Sequence, residues 1–510
     1  MKAPYRVLLF ALFLSISLAH AQNELIKNVH KYMLENGLRV IMVVQDFAPV
    51  IDFNLTFNVG GVDEPPGLGG VAHMVEHMAF KGTRSIGSYD AEAEQAALEK
   101  LELAANTLII AREAGATGKT LETFRQNLAD AQAAAQALAS PNALDALFTD
   151  NGAQGLNAST AYDRTSYVVS LPANRLELYA RVYADVLMNP VFRSFYEERD
   201  VVREERRTRS ENSPDGVLTE AFLAEAFQKS RYGRPLIGSA AEIADYTATA
   251  AESIFETFYY PNRAVLVMVG DLKPARDMEL IRKYFGVVPK GPDIKAELPT
   301  EPKQTAERRI RVPYAAEPQL IVGYHKPTYP NRDAYVLDVL DYILGHGRTS
   351  RLYRELVVRQ QLAVALSTTS ASPGTRYPNL FEIDLAPRAP HTPKELETAL
   401  YKELSKVKDA GVTDAELKRA KTLLRADVLR SLASGQSLAA NLAYNELFAG
   451  GWQNLFDDLD TYDTVTAAEL KDAAKRTFIQ ENRTVATLVT EAAGASTQTQ
   501  AGQTTSSGGQ

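Results

Sequence analysis

The sequence predicts an α+β protein of two related α/β halves, in which antiparallel sheets pack against helices. A linker joins the halves, and a helical hairpin is inserted in the first. Strand-like runs rich in β-branched and aromatic residues alternate with helix-like segments in both halves of the chain. A Pro-, Lys- and Glu-rich stretch without periodicity separates the halves. A long Ala-, Glu-, Gln- and Leu-rich stretch in the first half carries apolar residues at alternating spacings of three and four.

The first 21 residues have the pattern of a secretory signal peptide. Lys2 and Arg6 precede an apolar run over 7–19, which ends in Ala-His-Ala before Gln22. The run is short for a transmembrane helix, and no later stretch approaches a membrane span. We therefore predict a signal peptide over 1–21, a periplasmic or secreted protein, and no membrane span after cleavage. An uncleaved anchor is the alternative.

Composition excludes several classes of function. The 510 residues include 63 acidic and 55 basic side chains, a formal net charge of −8, with no long basic block. This balance argues against nucleic acid as the main partner. The chain has no cysteine, which excludes disulfides, thiolate metal ligands and a cysteine nucleophile.

The first half is predicted to span 22–286. Two strands, at 39–44 and 50–57, lead through a Gly- and Pro-rich turn to a helix that starts near Val71. The later elements of this half are a strand at 165–171, helices at 173–188 and 194–211, and a buried strand at 263–270.

The helical hairpin is predicted over about 89–140. Its apolar spacing favours two antiparallel helices with coiled-coil-like seams around a turn at 115–118. The seam positions are Leu98, Leu101, Ala105 and Leu108 in the first helix and Leu121, Phe124, Leu128, Ala131, Ala135 and Leu138 in the second. Nothing on the hairpin carries chemistry, so we expect that its removal leaves the functional site intact.

The second half repeats the order of the first after a linker over 287–309. It is predicted to span 310–491, with a strand at 319–324 and helices at 334–344 and 350–359. The repeat suggests an ancient duplication. The last stretch, 492–510, is rich in Gly, Ser, Thr and Gln and is predicted to be a disordered tail.

The motif that carries chemistry is His73-Met-Val-Glu76-His77. On a helix, positions i and i+4 lie one turn apart on the same face, so both imidazoles can reach one metal ion. Glu76 lies beside them, close enough to accept a proton from a water molecule at that ion. The alternative is a helix with two incidental histidines, which this spacing makes the weaker interpretation.

Two histidines do not complete a catalytic zinc site, which usually has three protein ligands and one open position. Without cysteine, the third ligand must be an oxygen or nitrogen atom. The richest acidic helix covers 197–205, and its Glu198 and Glu205 are two turns apart on one face. One of them can bind metal while the other supports a histidine. A solvated charged helix is an equally good interpretation of this segment.

The chain resembles the pitrilysin/insulinase family of zinc metallopeptidases, and within it the bacterial branch similar to processing peptidases. The residues that carry the resemblance are the inverted motif within 69–83, the segments 157–160 and 163–167, the pair within 198–205, and the region 350–353. The resemblance implies a zinc-dependent endopeptidase with one Zn²⁺ per chain, which acts on peptides or unfolded segments.

The resemblance also implies roles for single residues. Glu205 maps to the third zinc ligand and Glu198 to its supporting residue. Asn157 and Ala158 map to the edge strand along which family members pair with an extended substrate. Glu76 maps to the catalytic base.

A further implication concerns a partner. In related active peptidases the second half supplies an Arg and, seven residues on, a Tyr that stabilise the developing oxyanion. Val357 and Val364 occupy those two positions here. The resemblance therefore implies a heterodimer in which a homologous subunit supplies the Arg/Tyr pair. The alternative is a non-catalytic binding or assembly subunit on the same fold, which an intact metal motif speaks against.

Overall fold

The computed structural model describes residues 25–294 and 299–490. The predicted signal peptide and the predicted tail lie outside these ranges. Within them, no helix combines the length and the apolar character needed to cross a bilayer. The last two residues of the predicted linker, Arg308 and Arg309, already belong to a strand.

The first half contains a six-stranded sheet in the order β1-β2-β6-β3-β5-β4. Its strands are β1 (Val29–Met33), β2 (Arg39–Val44), β3 (Val50–Phe57), β4 (Gln154–Thr160), β5 (Thr165–Pro172) and β6 (Ala264–Gly270). All neighbours are antiparallel except β2 and β6, which run parallel. β4 forms one edge of this sheet.

The second half contains a five-stranded sheet in the order β7-β11-β8-β10-β9. Its strands are β7 (Arg308–Tyr314), β8 (Gln319–Lys326), β9 (Ala363–Ser372), β10 (Asn379–Pro387) and β11 (Arg483–Thr490). β7 and β11 are parallel, and the other neighbours are antiparallel. The same order and directions link β2-β6-β3-β5-β4 in the first sheet. The predicted α+β fold of two related halves is therefore confirmed, with the correction that each sheet contains one parallel pair.

Helices cover both sheets, and those whose full range is described are numbered in chain order. They are α1 (Val71–Met78), α2 (Ala91–Glu113), α3 (Gly118–Gln136), α4 (Ala143–Asp150), α5 (Leu176–Met188), α6 (Phe195–Arg206), α7 (Pro214–Ala226), α8 (Ala240–Asp245), α9 (Ala248–Phe258), α10 (Pro274–Phe285), α11 (Arg332–Leu344), α12 (Pro393–Ala410), α13 (Asp414–Ser431), α14 (Gly435–Phe448), α15 (Asn454–Asp463) and α16 (Ala467–Thr477). Two π-helical turns, Arg207–Glu211 and Tyr353–Arg359, complete the helical segments that the sequence predicts at 194–211 and 350–359.

The two halves exchange helices. α7 belongs to the first half in sequence, yet it packs on the sheet of the second half, where Phe222 joins Ile321 and Leu380 in one buried cluster. In return, α14 of the second half packs on the first sheet, where Leu438 and Leu442 join that sheet's buried valines. Each half thus supplies part of the other's core, and the halves are held as one packed unit.

Substitution of Phe222 tests whether α7 contributes to the core of the second half. The Phe222 side chain is fully buried, and the strand opposite carries Gly323, where a Cβ would lie 2.4 Å from the Phe222 ring. We expect Phe222→Ala to lower the free energy of unfolding by about 3–5 kcal/mol, because it leaves a cavity between the halves. Chemical denaturation measures this loss. Phe47→Ala is the matched control, since Phe47 is 90% exposed and its loss is expected to change little. A loss for Phe222→Ala no larger than for the control would contradict the exchange.

The predicted helical hairpin is present as α2 and α3. Its seam does not close only on itself, because Leu101, Ala105 and Ala135 belong to the core of the first half. The hairpin also bonds to the first turn of α6, where Gln136 donates to Glu197 at 2.6 Å. The predicted hairpin is therefore confirmed, with the correction that its seam packs into the core of the first half. It is a built-in part of the first half.

Candidate metal centre

Helix α1 carries the two histidines on one face, with their ring centroids 4.8 Å apart. Glu64 holds the start of the helix, because its carboxylate accepts hydrogen bonds from the backbone N–H groups of Gly70 and Ala72, both at 2.9 Å. Gly70 has φ 85°, and a Cβ there would lie 2.1 Å from a backbone oxygen, so only glycine fits this close approach.

Helix α6 brings Glu205 to the same point. Glu205 Oε1 lies 3.7 Å from His73 Nε2, and Glu205 Oε2 lies 3.7 Å from His77 Nε2. Their ligand atoms all lie within 4.8 Å of one another. Of the residues described, this is the group of histidine and carboxylate side chains whose geometry suits a metal ion.

The donor set fits zinc. Two imidazole nitrogens and one carboxylate oxygen form a common set for catalytic zinc sites, and the fourth position is left for water or substrate. Metal–ligand bonds of about 2.0–2.1 Å place tetrahedral neighbours roughly 3.4 Å apart. The separations of 3.7 Å between Glu205 and each histidine are close to this value. Burial, with the neighbouring His77 and Arg209, lowers the pKa of His73 to about 3. The His73 ring is therefore neutral at pH 7 and able to bind a cation.

Glu198 contacts His77 and lies outside the group of three candidate ligands. Its Oε2 lies 3.1 Å from His77 Nδ1, while Lys81 Nζ donates to its Oε1 at 2.5 Å. Burial alone would raise the pKa of Glu198, but the hydrogen bonds from His77 and Lys81 lower it. An ionised Glu198 can accept a hydrogen bond from His77 Nδ1, which leaves His77 Nε2 free to bind a metal ion. Sequence reasoning missed Lys81, although it follows His77 by one helical turn.

Glu76 is buried beside the two histidines. Thr160, the last residue of β4, donates its hydroxyl to Glu76 Oε2 at 2.6 Å. Burial raises the pKa of Glu76, and the Thr160 hydrogen bond opposes this shift. The bond attaches the candidate base to the edge strand. Thr160 lies inside the segment that carries the family resemblance, but no spacing rule singles it out.

Asn157 and Ala158 lie on β4, as the resemblance implies. They pair with Val168 and Tyr167 of β5 on one side only, so the opposite side of β4 is a free sheet edge within the described residues. Because Thr160 joins the same strand to Glu76, this edge runs directly past the metal centre. A strand added there would lie beside the candidate base.

The second half offers no hydrogen-bond donor at the two expected positions. Val357 is buried within the π-helical turn, and Val364 is half-exposed on β9. Arg359 lies two residues past Val357, out of register with the expected position, and it forms an ion pair with Glu355.

Comparisons with known proteins agree with this arrangement. Residues 39–109 and 134–240 match the family model described as insulinase (peptidase family M16), and the gap between them falls in the hairpin. Residues 245–424 match the model described as peptidase M16 inactive domain.

Similar proteins cover nearly the whole chain. The zinc protease PqqE of Helicobacter pylori is 28% identical over 469 residues, which is 88% of this chain and 91% of that protein. The crystal structure of a protease from Helicobacter pylori has a TM-score of 0.74 and 25% identity to this chain. The match covers 90% of this chain and 99% of that protease chain. The periplasmic protease PqqL of Escherichia coli shares the fold, with a TM-score of 0.66 and 16% identity. The match covers 91% of this chain and 48% of the PqqL chain. Since both family models describe domains of the same peptidase family and follow one another along most of the sequence, the chain belongs to the insulinase family of peptidases, M16.

Proposed function

We propose that this protein is a zinc-dependent endopeptidase that hydrolyses peptides or unfolded segments, with one zinc ion held by His73, His77 and Glu205. The observation that carries the proposal is the convergence of these three side chains from two helices, with Glu76 buried next to them. When bound, zinc would supply Lewis acidity, which polarises a peptide carbonyl and lowers the pKa of water to about 7, so that water can lose a proton near neutral pH and act as the nucleophile.

The chain's own residues supply the proton transfers. Glu76 accepts the proton of the attacking water and later delivers it to the leaving amine. A bound cation lowers the pKa of Glu76 and so offsets the effect of burial. Thr160 fixes the orientation of the Glu76 carboxylate.

The free edge of β4 selects the form of the substrate. Asn157 and Ala158 pair with an extended backbone through the β4 main chain, which requires a segment that is not already folded. Peptides and unfolded segments meet this condition. The pattern over 1–21 supports a periplasmic or secreted location, where such segments would be encountered.

A purified, exported chain tests the proposal through zinc analysis and a peptide-library digest, each with and without chelator. One zinc per chain and chelator-sensitive cleavage support it. The second candidate is a non-catalytic binding subunit, which the valines at 357 and 364 favour. A chain without stoichiometric zinc would support that candidate.

We further propose that the chain is the catalytic subunit of a heterodimer. Neither Val357 nor Val364 can donate a hydrogen bond to an oxyanion, and the loss of one such donor costs about 2.7–4 kcal/mol, or roughly 100- to 1,000-fold in rate. A related subunit that lacks His-x-x-Glu-His but carries the Arg and Tyr would supply the missing hydrogen-bond donors. The length of PqqL, of which this chain covers 48%, suits a site completed by a second unit of similar size.

The zinc-loaded chain alone is therefore expected to cleave peptides at least about 100-fold more slowly than the mixture with such a partner. Turnover assays on the separate and mixed proteins measure this. A mixture that contains Glu76→Gln is the control and should remain inactive. Full activity of the isolated chain would overturn the heterodimer.

A further inference from the structure

Arg193 lies between α5 and α6 and is buried, with 4% of its side chain exposed. Nε and Nη2 donate to the two carboxylate oxygens of Glu94 on α2, at 2.8 and 2.9 Å. Nη1 donates to the backbone oxygens of Lys81 and Ile86, and Nη2 also donates to that of Thr83. All five N–H groups of the guanidinium are thus used.

The three carbonyls belong to the loop that follows the metal-motif helix α1. This loop also contains Gly82 and Gly87, both with positive φ. A Cβ at either glycine would lie within 2.9 Å of Arg193 Nη1, so the loop backbone folds closely around the guanidinium. The loop conformation therefore depends on Arg193 being in place.

The loop is directly connected to the metal centre. Lys81 is held by Arg193 through its carbonyl, and its ammonium group donates to Glu198, which in turn contacts His77 Nδ1. A displacement of the Lys81 backbone would move the ammonium that orients Glu198. The orientation of one candidate zinc ligand thus depends on the buried Arg193.

The hairpin reaches the same region through further contacts. Tyr196 at the start of α6 donates to Glu102 of α2 at 2.5 Å. Gln132 and Gln136 of α3 both donate to Glu197, the residue before Glu198. Both hairpin helices therefore hold the end of α6 that carries Glu198.

We propose that the hairpin is a positioning element of the metal centre, with Glu94 acting through Arg193 and the loop 81–87 on Glu198 and His77. Glu94 touches neither metal nor substrate. Without its carboxylate, Arg193 would be a buried cation with only carbonyl partners, a costly arrangement that favours rearrangement of the loop. The inference rests on the proposed zinc function, since it concerns the same site.

Cobalt binding to the full-length chain tests this positioning role without any activity assay. The visible absorption of bound Co²⁺ reports the coordination geometry, and titration gives the dissociation constant. We expect Glu94→Gln to weaken Co²⁺ binding about 10- to 100-fold and to alter the absorption bands, as changes behind a metal ligand typically do. Circular dichroism verifies that the variant is folded.

Glu416→Gln is the matched control. It breaks a bidentate ion pair with Arg351 in the second half, and so reproduces the loss of charge away from the metal centre. It should leave the cobalt affinity and spectrum unchanged. If Glu94→Gln does not fold, Arg193→Lys replaces it, because lysine keeps the charge but cannot bond to Glu94 and to all three carbonyls.

The outcomes separate this inference from the proposed function. A folded Glu94→Gln or Arg193→Lys variant with the wild-type affinity and spectrum would overturn the positioning role alone. An equal effect of Glu416→Gln would also overturn it, since general destabilisation would then be the cause. A wild-type chain that binds neither Co²⁺ nor Zn²⁺ would overturn both proposals.

Discussion

Replacement of Glu76 by glutamine is expected to lower kcat/KM by about 100- to 10,000-fold or more while zinc remains bound. The amide cannot accept a proton from the attacking water, yet it has nearly the shape of the carboxylate. His73, His77 and Glu205 are unchanged. Zinc analysis and peptide hydrolysis, measured on the same preparation with the partner present, test this expectation.

Glu204→Gln is the control for Glu76→Gln. Glu204 is an exposed glutamate on α6 that pairs with Arg207, away from the three ligand atoms. Near-normal turnover by Glu76→Gln would remove Glu76 from its assigned role. Loss of zinc from that variant would instead indicate that Glu76 helps to hold the metal.

Glu205→Ala is expected to weaken zinc binding by at least about 10- to 100-fold, and so to abolish hydrolysis at ordinary zinc concentrations. This range is the typical cost of losing a group behind a metal ligand, and the loss of a ligand itself should equal or exceed it. A zinc titration against a competing chelator measures the change.

Glu198→Ala gives the contrast. Glu198 contacts His77 Nδ1 and lies outside the three-ligand group, so its loss should weaken zinc binding less than the loss of Glu205. Glu204→Ala, the exposed neighbour, should change nothing. If Glu198→Ala lost zinc and Glu205→Ala retained it, the ligand and its support would be exchanged.

Local signals predicted most of the elements of the fold. The β-branched runs at 39–44 and 50–57 are β2 and β3 to the residue, because strand propensity and flanking turns are written locally. The parallel pairing of β2 with β6 was not predicted, since it joins segments more than 200 residues apart. The exchange of α7 and α14 was missed for a similar reason. An apolar helix face shows that Phe222 is buried, but not which sheet covers it.

The contacts of the hairpin with the rest of the first half could not be predicted from the sequence. Its seam residues fit a self-contained helical pair, and on that basis its loss was expected to leave the site intact. Leu101 and Ala135 also pack into the core, and Glu94 forms a buried ion pair with Arg193. A glutamate near the start of a helix is ordinarily a solvated capping residue, so nothing in the sequence distinguishes this one.

The five-residue motif is enough to place His73 and His77 on one helix face with Glu76 next to them, because the helical repeat fixes that geometry locally. The sequence also points to one face of the acidic helix 197–205 as the source of a third ligand, with Glu198 and Glu205 as the candidates. The residues alone left Glu198 and Glu205 as alternatives, and the family resemblance implied that Glu205 is the ligand. Their positions come from the fold, in which Glu205 lies between the histidines and Glu198 lies behind His77. The packing of α6 against α1 determines which glutamate faces both histidines. That packing depends on contacts between residues far apart in the chain.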